Sequence, residues 1–269
     1  MTAPGRPDGS SSHPLVKLAR ALATPHGRRK RGLMLLEGVR AAEGALAQGG
    51  KPEGAIFSAA ALADGRAAAL KRRLEEAGVR CVGIPDRLYA ELTQVPSPQG
   101  VALVCPVPTL HLADALRLPF VVVADRLQDP GNLGALFRLA QGLGAGAVLT
   151  TAGTVEAAHP RALRAAAGAW PGLAVAEGVA TAALAQAMAA VRRRVLVAAP
   201  RGGTDYREVH WDGVLALVLG SEAHGVDPAL EAGAVRVTIP LAGGVESLNV
   251  TAAAAILLAE AARQRVSVH

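Results

Sequence analysis

Along the second half of the chain, short continuous apolar runs alternate with longer stretches whose apolar positions recur every third or fourth residue. The runs read as strands buried on both faces, and the periodic stretches as helices laid over them. Strands are predicted near 120–124, 146–150, 172–176, 194–199, 214–219 and 235–239, with helices in most gaps and a last helix over 248–265. This alternation predicts an α/β fold with a mostly parallel sheet, in which ligands sit beyond the carboxyl ends of strands. The first half repeats it on a smaller scale, with strands at 33–36, 55–58, 79–84 and 101–105 and helices at 39–48, 62–77 and 87–92.

Pro106, Pro108 and Pro119 bracket a stretch that reads as a linker. The predicted organisation is a disordered Pro/Gly/Ser tail over 1–12, a smaller α/β domain over 13–108, a linker over 109–118 and a second domain over 119–269. Within the smaller domain, Arg28, Arg29, Lys30 and Arg31 form a dense run of cations ahead of the first strand. The run is either a patch that tracks a nucleic-acid backbone or a solvated loop.

Hydrophobic residues make up 51% of the 269, yet no apolar run reaches membrane-spanning length, so no membrane partner is expected. The opening residues lack the apolar core of a signal peptide, which predicts a cytoplasmic protein. Cys81 and Cys105, far apart in strand-like contexts, read as buried free thiols, and no His/Cys spacing suggests a metal. With 28 Lys and Arg against 22 Asp and Glu, the net charge of +6 favours a polyanionic partner over small acidic substrates. Lys17, Lys30, Lys51 and Lys71 are the only lysines, and arginine is the better bidentate phosphate ligand.

Three strand-to-helix stretches carry the candidate chemistry. In the first, 124–140, the turn Asp129-Pro130-Gly131-Asn132 precedes a helix with Asn132 as its expected cap. Leu133, Leu136, Phe137 and Ala140 form the buried stripe, and Arg138 points away from it, where an arginine is most often simply solvated. The second stretch, 215–225, delivers Gly220-Ser221-Glu222 into a glycine-bounded turn, with Glu222 as either a site carboxylate or a first-turn residue favoured by a helix dipole. In the third, 237–255, Pro240 and Gly243-Gly244 precede an alanine-rich helix that Ser247 or Asn249 can cap. Gly142, Gly144 and Gly146 fail the dinucleotide spacing and close a helix, which argues against a Rossmann oxidoreductase. Arg161 and Arg164 fall on adjacent turns of a further helix and either hold phosphates or are solvated.

In this order the three stretches resemble the SpoU (TrmH) family of RNA ribose 2′-O-methyltransferases, of the SPOUT class. The resemblance rests on Asp129-Pro130-Gly131-Asn132-Leu133-Gly134 with Arg138 and Ala140, on Leu219-Gly220-Ser221-Glu222 with Gly225, and on Ile239-Pro240 with Glu246-Ser247-Leu248-Asn249-Val250. The N-terminal half is similar to the family's substrate-binding domain through Leu36-Glu37-Gly38 and Pro98-Gln99-Gly100-Val101. Leu139, Leu241 and Ala166 depart from the family's usual Ser or Thr, Met and Ser.

The resemblance implies a deep trefoil knot in the C-terminal domain, a homodimer, and S-adenosylmethionine bent among three loops. It assigns Leu219, Gly220, Ile239, Ser247 and Leu248 to the cofactor, Arg138 to activating or orienting the ribose hydroxyl, and Asn132, Glu222 and Asn249 to holding the geometry. Arg28, Arg29, Lys30, Arg31, Arg161 and Arg164 are the candidate RNA contacts, and no metal is required. Ribosomal RNA is the favoured substrate. The alternatives are a tRNA 2′-O-methyltransferase and a catalytically silent RNA-binding or assembly factor on the same fold.

Overall fold

The structure, a computed structural model, describes residues 9–93, 98–169 and 172–266. The chain forms two compact units, one from residues up to Val107 together with Ala158–Gly172, the other from Pro108–Ala157 and Leu173 onward.

The first unit is built on β1 (Leu33–Glu37), β2 (Gly54–Ser58), β3 (Arg80–Ile84) and β4 (Val101–Pro106) in the order β1-β4-β2-β3. β2 and β3 are parallel, whereas β4 runs antiparallel to both its neighbours. Alternate residues Leu33 and Leu35, Ala102 and Val104, and Val82 and Ile84 join one cluster with Leu15, Val16, Ala19 and Leu22. Those last four lie on a helix, Pro14–Leu22, that the strand pattern did not announce. Part of the expected tail is ordered: Gly9 is buried and its N–H donates to the Gly83 carbonyl at 3.0 Å, while residues 1–8 lie outside the described residues.

The cation run is not a loop. Pro25–Arg31 is a helix capped by Thr24, whose hydroxyl accepts from Gly27 N–H at 3.1 Å, with Pro25 at its first position and left-handed Gly32 closing it. Arg28 turns inward and is 2% exposed, donating through Nη1 to the carbonyls of Leu22 (3.0 Å) and Ala23 (3.2 Å) at the end of the preceding helix. It therefore serves as a helix C-cap and is withdrawn from the candidate RNA contacts. Arg29, Lys30 and Arg31 remain exposed. The helix Pro160–Ala166, expected in the second domain, packs instead against β1 of the first unit.

The second unit is a seven-stranded parallel sheet. Its strands are β5 (Phe120–Asp125), β6 (Ala147–Thr151), β7 (Ala174–Val179), β8 (Arg194–Ala198), β9 (Thr204–Asp205), β10 (Leu215–Gly220) and β11 (Val235–Thr238), in the order β7-β6-β5-β10-β8-β11-β9. β5 and β10 are buried nearly throughout, as strands covered on both faces must be. On one face Val121, Val123, Leu149, Val197 and Val218 pack with Leu184, Met188 and Leu230. Helices Pro130–Gly142 and Val250–Val266 pack against each other. Among the described residues no helix is long and apolar enough to cross a membrane. Burial raises the Cys105 thiol to about 12 and Cys81 to about 11, and both are free thiols.

One buried cation fixes the entry to the sheet. Arg193, 5% exposed, donates to the carbonyls of Leu116 (2.6 Å), Leu118 (2.7 Å) and Leu215 (2.9 Å), and its burial lowers its pKa. Arg193→Met keeps the apolar stem but strands those carbonyls. It is expected to cost about 2–4 kcal/mol, read as a lower midpoint in urea unfolding. An unchanged midpoint would mean that water replaces the guanidinium without loss.

Candidate functional site

The parallel register brings the ends of β5 and β10 side by side, with Asp125 opposite Gly220. Asp125 is fully buried and ties three segments together. It accepts from Thr151 Oγ1 at the end of β6 (2.7 Å) and from Asp227 N–H beyond β10 (2.8 Å), and pairs with Arg126 (3.2 Å). Sequence reasoning misses this hub because it ends the strand one residue early; an acidic residue closing an apolar strand is the available signal.

After β5 the helix is capped by Asp129 and not, as expected, by Asn132. Asp129 Oδ1 accepts from Asn132 N–H at 2.8 Å and Pro130 occupies the first turn. The exchange matters chemically, because it releases the Asn132 side chain from capping.

After β10 the chain folds back on itself. Ser221 bridges Gly225, whose φ is +64°, and a Cβ on Gly220 would lie 2.3 Å from the Gly225 carbonyl carbon. Only glycine permits that approach. The turn presents Glu222, whose Oε1 accepts from Asn249 Nδ2 at 2.8 Å and from Val250 N–H at 3.4 Å. Asn249 Nδ2 also donates to Asn132 Oδ1 at 3.4 Å. The Asn249 oxygen meanwhile accepts from Thr251 N–H at 2.8 Å, so Asn249 is the residue that caps the last helix. Asn132, Glu222 and Asn249, from three separate stretches, thus form one hydrogen-bonded group. The Asn132 amide N–H groups have no partner among the described residues.

Two cavities flank that group. The larger, about 240 Å³, lies at the carboxyl ends of β8, β10 and β11 and is lined by Pro200, Leu219, Gly220, Ile239, Ser247 and Leu248, among others. All five residues expected to hold the cofactor line it. Its aliphatic walls suit the faces of an adenine ring, and its polar edge comes from Ser221, Glu222, Ser247 and main-chain groups. The smaller, about 160 Å³, is lined by Gln128, Asp129, Asn132, Glu222 and His224, and shares Ser221, Glu222 and Val250 with the first. Glu222 therefore stands in the wall between them.

Other candidates lie elsewhere. Arg138 is exposed on the Asn132 helix, six residues on and so about 9 Å along its axis, and lines neither cavity. Arg161 and Arg164 are exposed on the helix Pro160–Ala166 of the first unit. Among the described residues no three His, Cys, Asp or Glu side chains cluster as metal ligands would.

Comparison with known proteins accords with this geometry. The family model described as SpoU rRNA Methylase matches residues 119–259, and that of the MRM3-like substrate binding domain matches 13–103. An uncharacterized tRNA/rRNA methyltransferase of Synechocystis is 32% identical over 262 residues, 95% of this chain and 93% of that protein. The 23S rRNA (guanosine(2553)-2′-O)-methyltransferase RlmP of Bacillus subtilis is 35% identical over 184 residues, 68% of this chain and 73% of that protein. The AdoMet-bound crystal structure of an rRNA methyltransferase from Sinorhizobium meliloti superposes with a TM-score of 0.81 at 25% identity, covering 94% of this chain and 96% of that one.

Proposed function

The chain belongs to the SpoU rRNA methylase family, and from that membership we propose that it transfers the methyl group of S-adenosylmethionine to a ribose 2′-hydroxyl of ribosomal RNA. The observation that carries this reading is the group formed by Asn132, Glu222 and Asn249, standing between a larger cavity walled by aliphatic side chains and a smaller one that the Asn132 side chain lines. The larger cavity holds the cofactor, with Leu219, Ile239 and Leu248 against the adenosine and the Gly220 and Ser247 backbones beside it. The smaller cavity receives the acceptor ribose.

S-adenosylmethionine supplies an already activated sulfonium methyl, so the protein's task is alignment and charge stabilisation. Glu222 holds the Asn249 amide in place, and Asn249 in turn holds Asn132. The unpartnered Asn132 N–H groups are donors for the acceptor ribose. Arg138 binds the neighbouring phosphate and favours negative charge on the attacking oxygen. A guanidinium does not give up its proton, so Arg138 acts as an electrostatic partner and not as the base; the hydroxyl proton passes to solvent water or the neighbouring phosphate as S-adenosylhomocysteine leaves. We extend the reading to a cytoplasmic homodimer with a threaded C-terminal chain, as the resemblance of the three loop motifs implies.

The test pairs calorimetry of S-adenosylmethionine binding with mass spectrometry of nucleosides after incubating the protein with unmodified ribosomal RNA and tRNA. A 2′-O-methylnucleoside in the ribosomal RNA alone is the expected result. Binding of both ligands without any methylated product would make the protein a silent RNA-binding factor instead.

On the RNA side, neutralising Arg29, Lys30 and Arg31 together to Gln is expected to weaken RNA binding and flatten the log–log salt dependence by about 0.7 for each phosphate these side chains neutralise. An unaltered slope would assign this helix end to solvent.

A further inference from the structure

The two stretches that liken the first unit to a substrate-binding domain, Leu36-Glu37-Gly38 and Pro98-Gln99-Gly100-Val101, have no part in the chemistry above. The fold nevertheless brings them to one place. Gly38 turns out of β1 with φ +104° and donates its N–H to the Val101 carbonyl at 2.8 Å. Gln99 Oε1 accepts from Val39 N–H at 3.2 Å, which leaves the Gln99 amide N–H₂ as a donor. Beside them opens a cavity of about 170 Å³.

Two arginines complete its wall. Arg40 comes from the helix Val39–Ala47 and Arg164 from the helix Pro160–Ala166. Close backbone packing sets them across one opening. A Cβ on Gly44 would lie 3.3 Å from Gly168 Cα, and Gln48 Nε2 donates to the Gly168 carbonyl at 2.9 Å. Both arginines are exposed and neither is ion-paired among the described residues. The acid nearest Arg40 on its own helix, Glu43, is held by Arg66 at 2.6 Å. Glu37, the carboxylate in the cavity wall, accepts from the Thr93 hydroxyl. The space thus gathers two guanidinium forks and an amide donor against a single carboxylate, Glu37, one of whose oxygens is hydrogen-bonded to Thr93.

We propose that this cavity binds a backbone phosphate of the RNA substrate, clamped between Arg40 and Arg164 with Gln99 as a third donor. It gives the first unit an RNA anchor separate from the Arg29-Lys30-Arg31 helix end. The inference rests on RNA being the substrate, as read above, and adds a residue, Arg40, that the sequence pattern did not single out.

The experiment uses the full chain carrying Arg40→Gln and Arg164→Gln. RNA binding is followed by fluorescence anisotropy with a ribosomal RNA fragment between about 50 and 200 mM salt, and the log–log slope is expected to fall by about 0.7, the share of one phosphate. Affinity at the higher salt is expected to drop about tenfold, the scale of one charge-assisted hydrogen bond. Arg40→Lys with Arg164→Lys is expected to recover the slope but only part of the affinity, because the charge returns without the fork. S-adenosylmethionine binding is expected to stay at the unaltered protein's level, while half-maximal methylation requires more RNA. An unchanged slope and affinity with methylation intact overturns the clamp alone. Failure of the unaltered chain to bind or methylate RNA overturns the clamp together with the functional reading beneath it.

Discussion

Gly220→Ala is expected to eliminate measurable S-adenosylmethionine binding, a loss of at least about a hundredfold or ~2.7 kcal/mol. The added methyl group would run into the Gly225–Val226 peptide, at 2.3 Å from Gly225 C, 2.4 Å from Gly225 O and 2.5 Å from Val226 N. None of these atoms is the end of a flexible side chain, so the turn from Gly220 to Val226 must open. Opening it displaces the wall shared by the two cavities and carries Glu222 away from Asn249. Gly225→Ala is the control. Its φ of +64° imposes a strain of about 1 kcal/mol on alanine, but the new methyl would find nothing within 4 Å. Calorimetry should therefore show cofactor binding retained within a few-fold for Gly225→Ala and absent for Gly220→Ala. Equal affinities in the two variants would mean that the turn does not shape the cofactor cavity.

The contrast between those two glycines illustrates what the sequence could and could not convey. Strands such as Phe120–Asp125 and Leu215–Gly220 were legible because a strand buried on both faces must be apolar throughout, and the alternation with helices then dictates a parallel sheet. The three loops were legible because each follows such a strand with glycine, proline and a capping residue. Which residue caps was less so. The wide use of asparagine as a cap led to Asn132, whereas a proline at the first helical position sets the cap one residue before it, at Asp129.

Long-range pairings left no local trace, and only the order of the three motifs, through the family resemblance, brought Asn132, Glu222 and Asn249 to one site. Asn132 and Asn249 lie 117 positions apart, and nothing local in either stretch records that they meet. The cation run failed for a different reason. Whether Arg28 or one of its neighbours turns inward depends on the phase of its helix against the exposed carbonyls of Leu22 and Ala23, a tertiary relation that composition does not encode. Arg40 escaped notice because its partner across the cavity, Arg164, is supplied by a segment more than a hundred residues away that the strand pattern had placed in the other domain.

Arg138→Ala is expected to lower methyl transfer by about 10³-fold, the scale of removing one group that stabilises developing negative charge. S-adenosylmethionine affinity should stay within a few-fold, since Arg138 is exposed, lines neither cavity and bonds to nothing among the described residues. Turnover close to that of the unaltered protein would remove Arg138 from the mechanism. The same geometry raises a sharper question. Within one chain Arg138 stands about 9 Å along its helix from Asn132, so it reaches the acceptor either by moving when RNA binds or by serving the site of a second copy. Mixing Arg138→Ala protein with Gly220→Ala protein separates the two routes. If the arginine acts across a dimer, random exchange of subunits makes half the dimers mixed, each with one complete site, and activity returns to about a quarter of the unaltered level. If it acts within its own chain, every site in the mixture lacks either the arginine or the cofactor, and the mixture stays as inactive as its components.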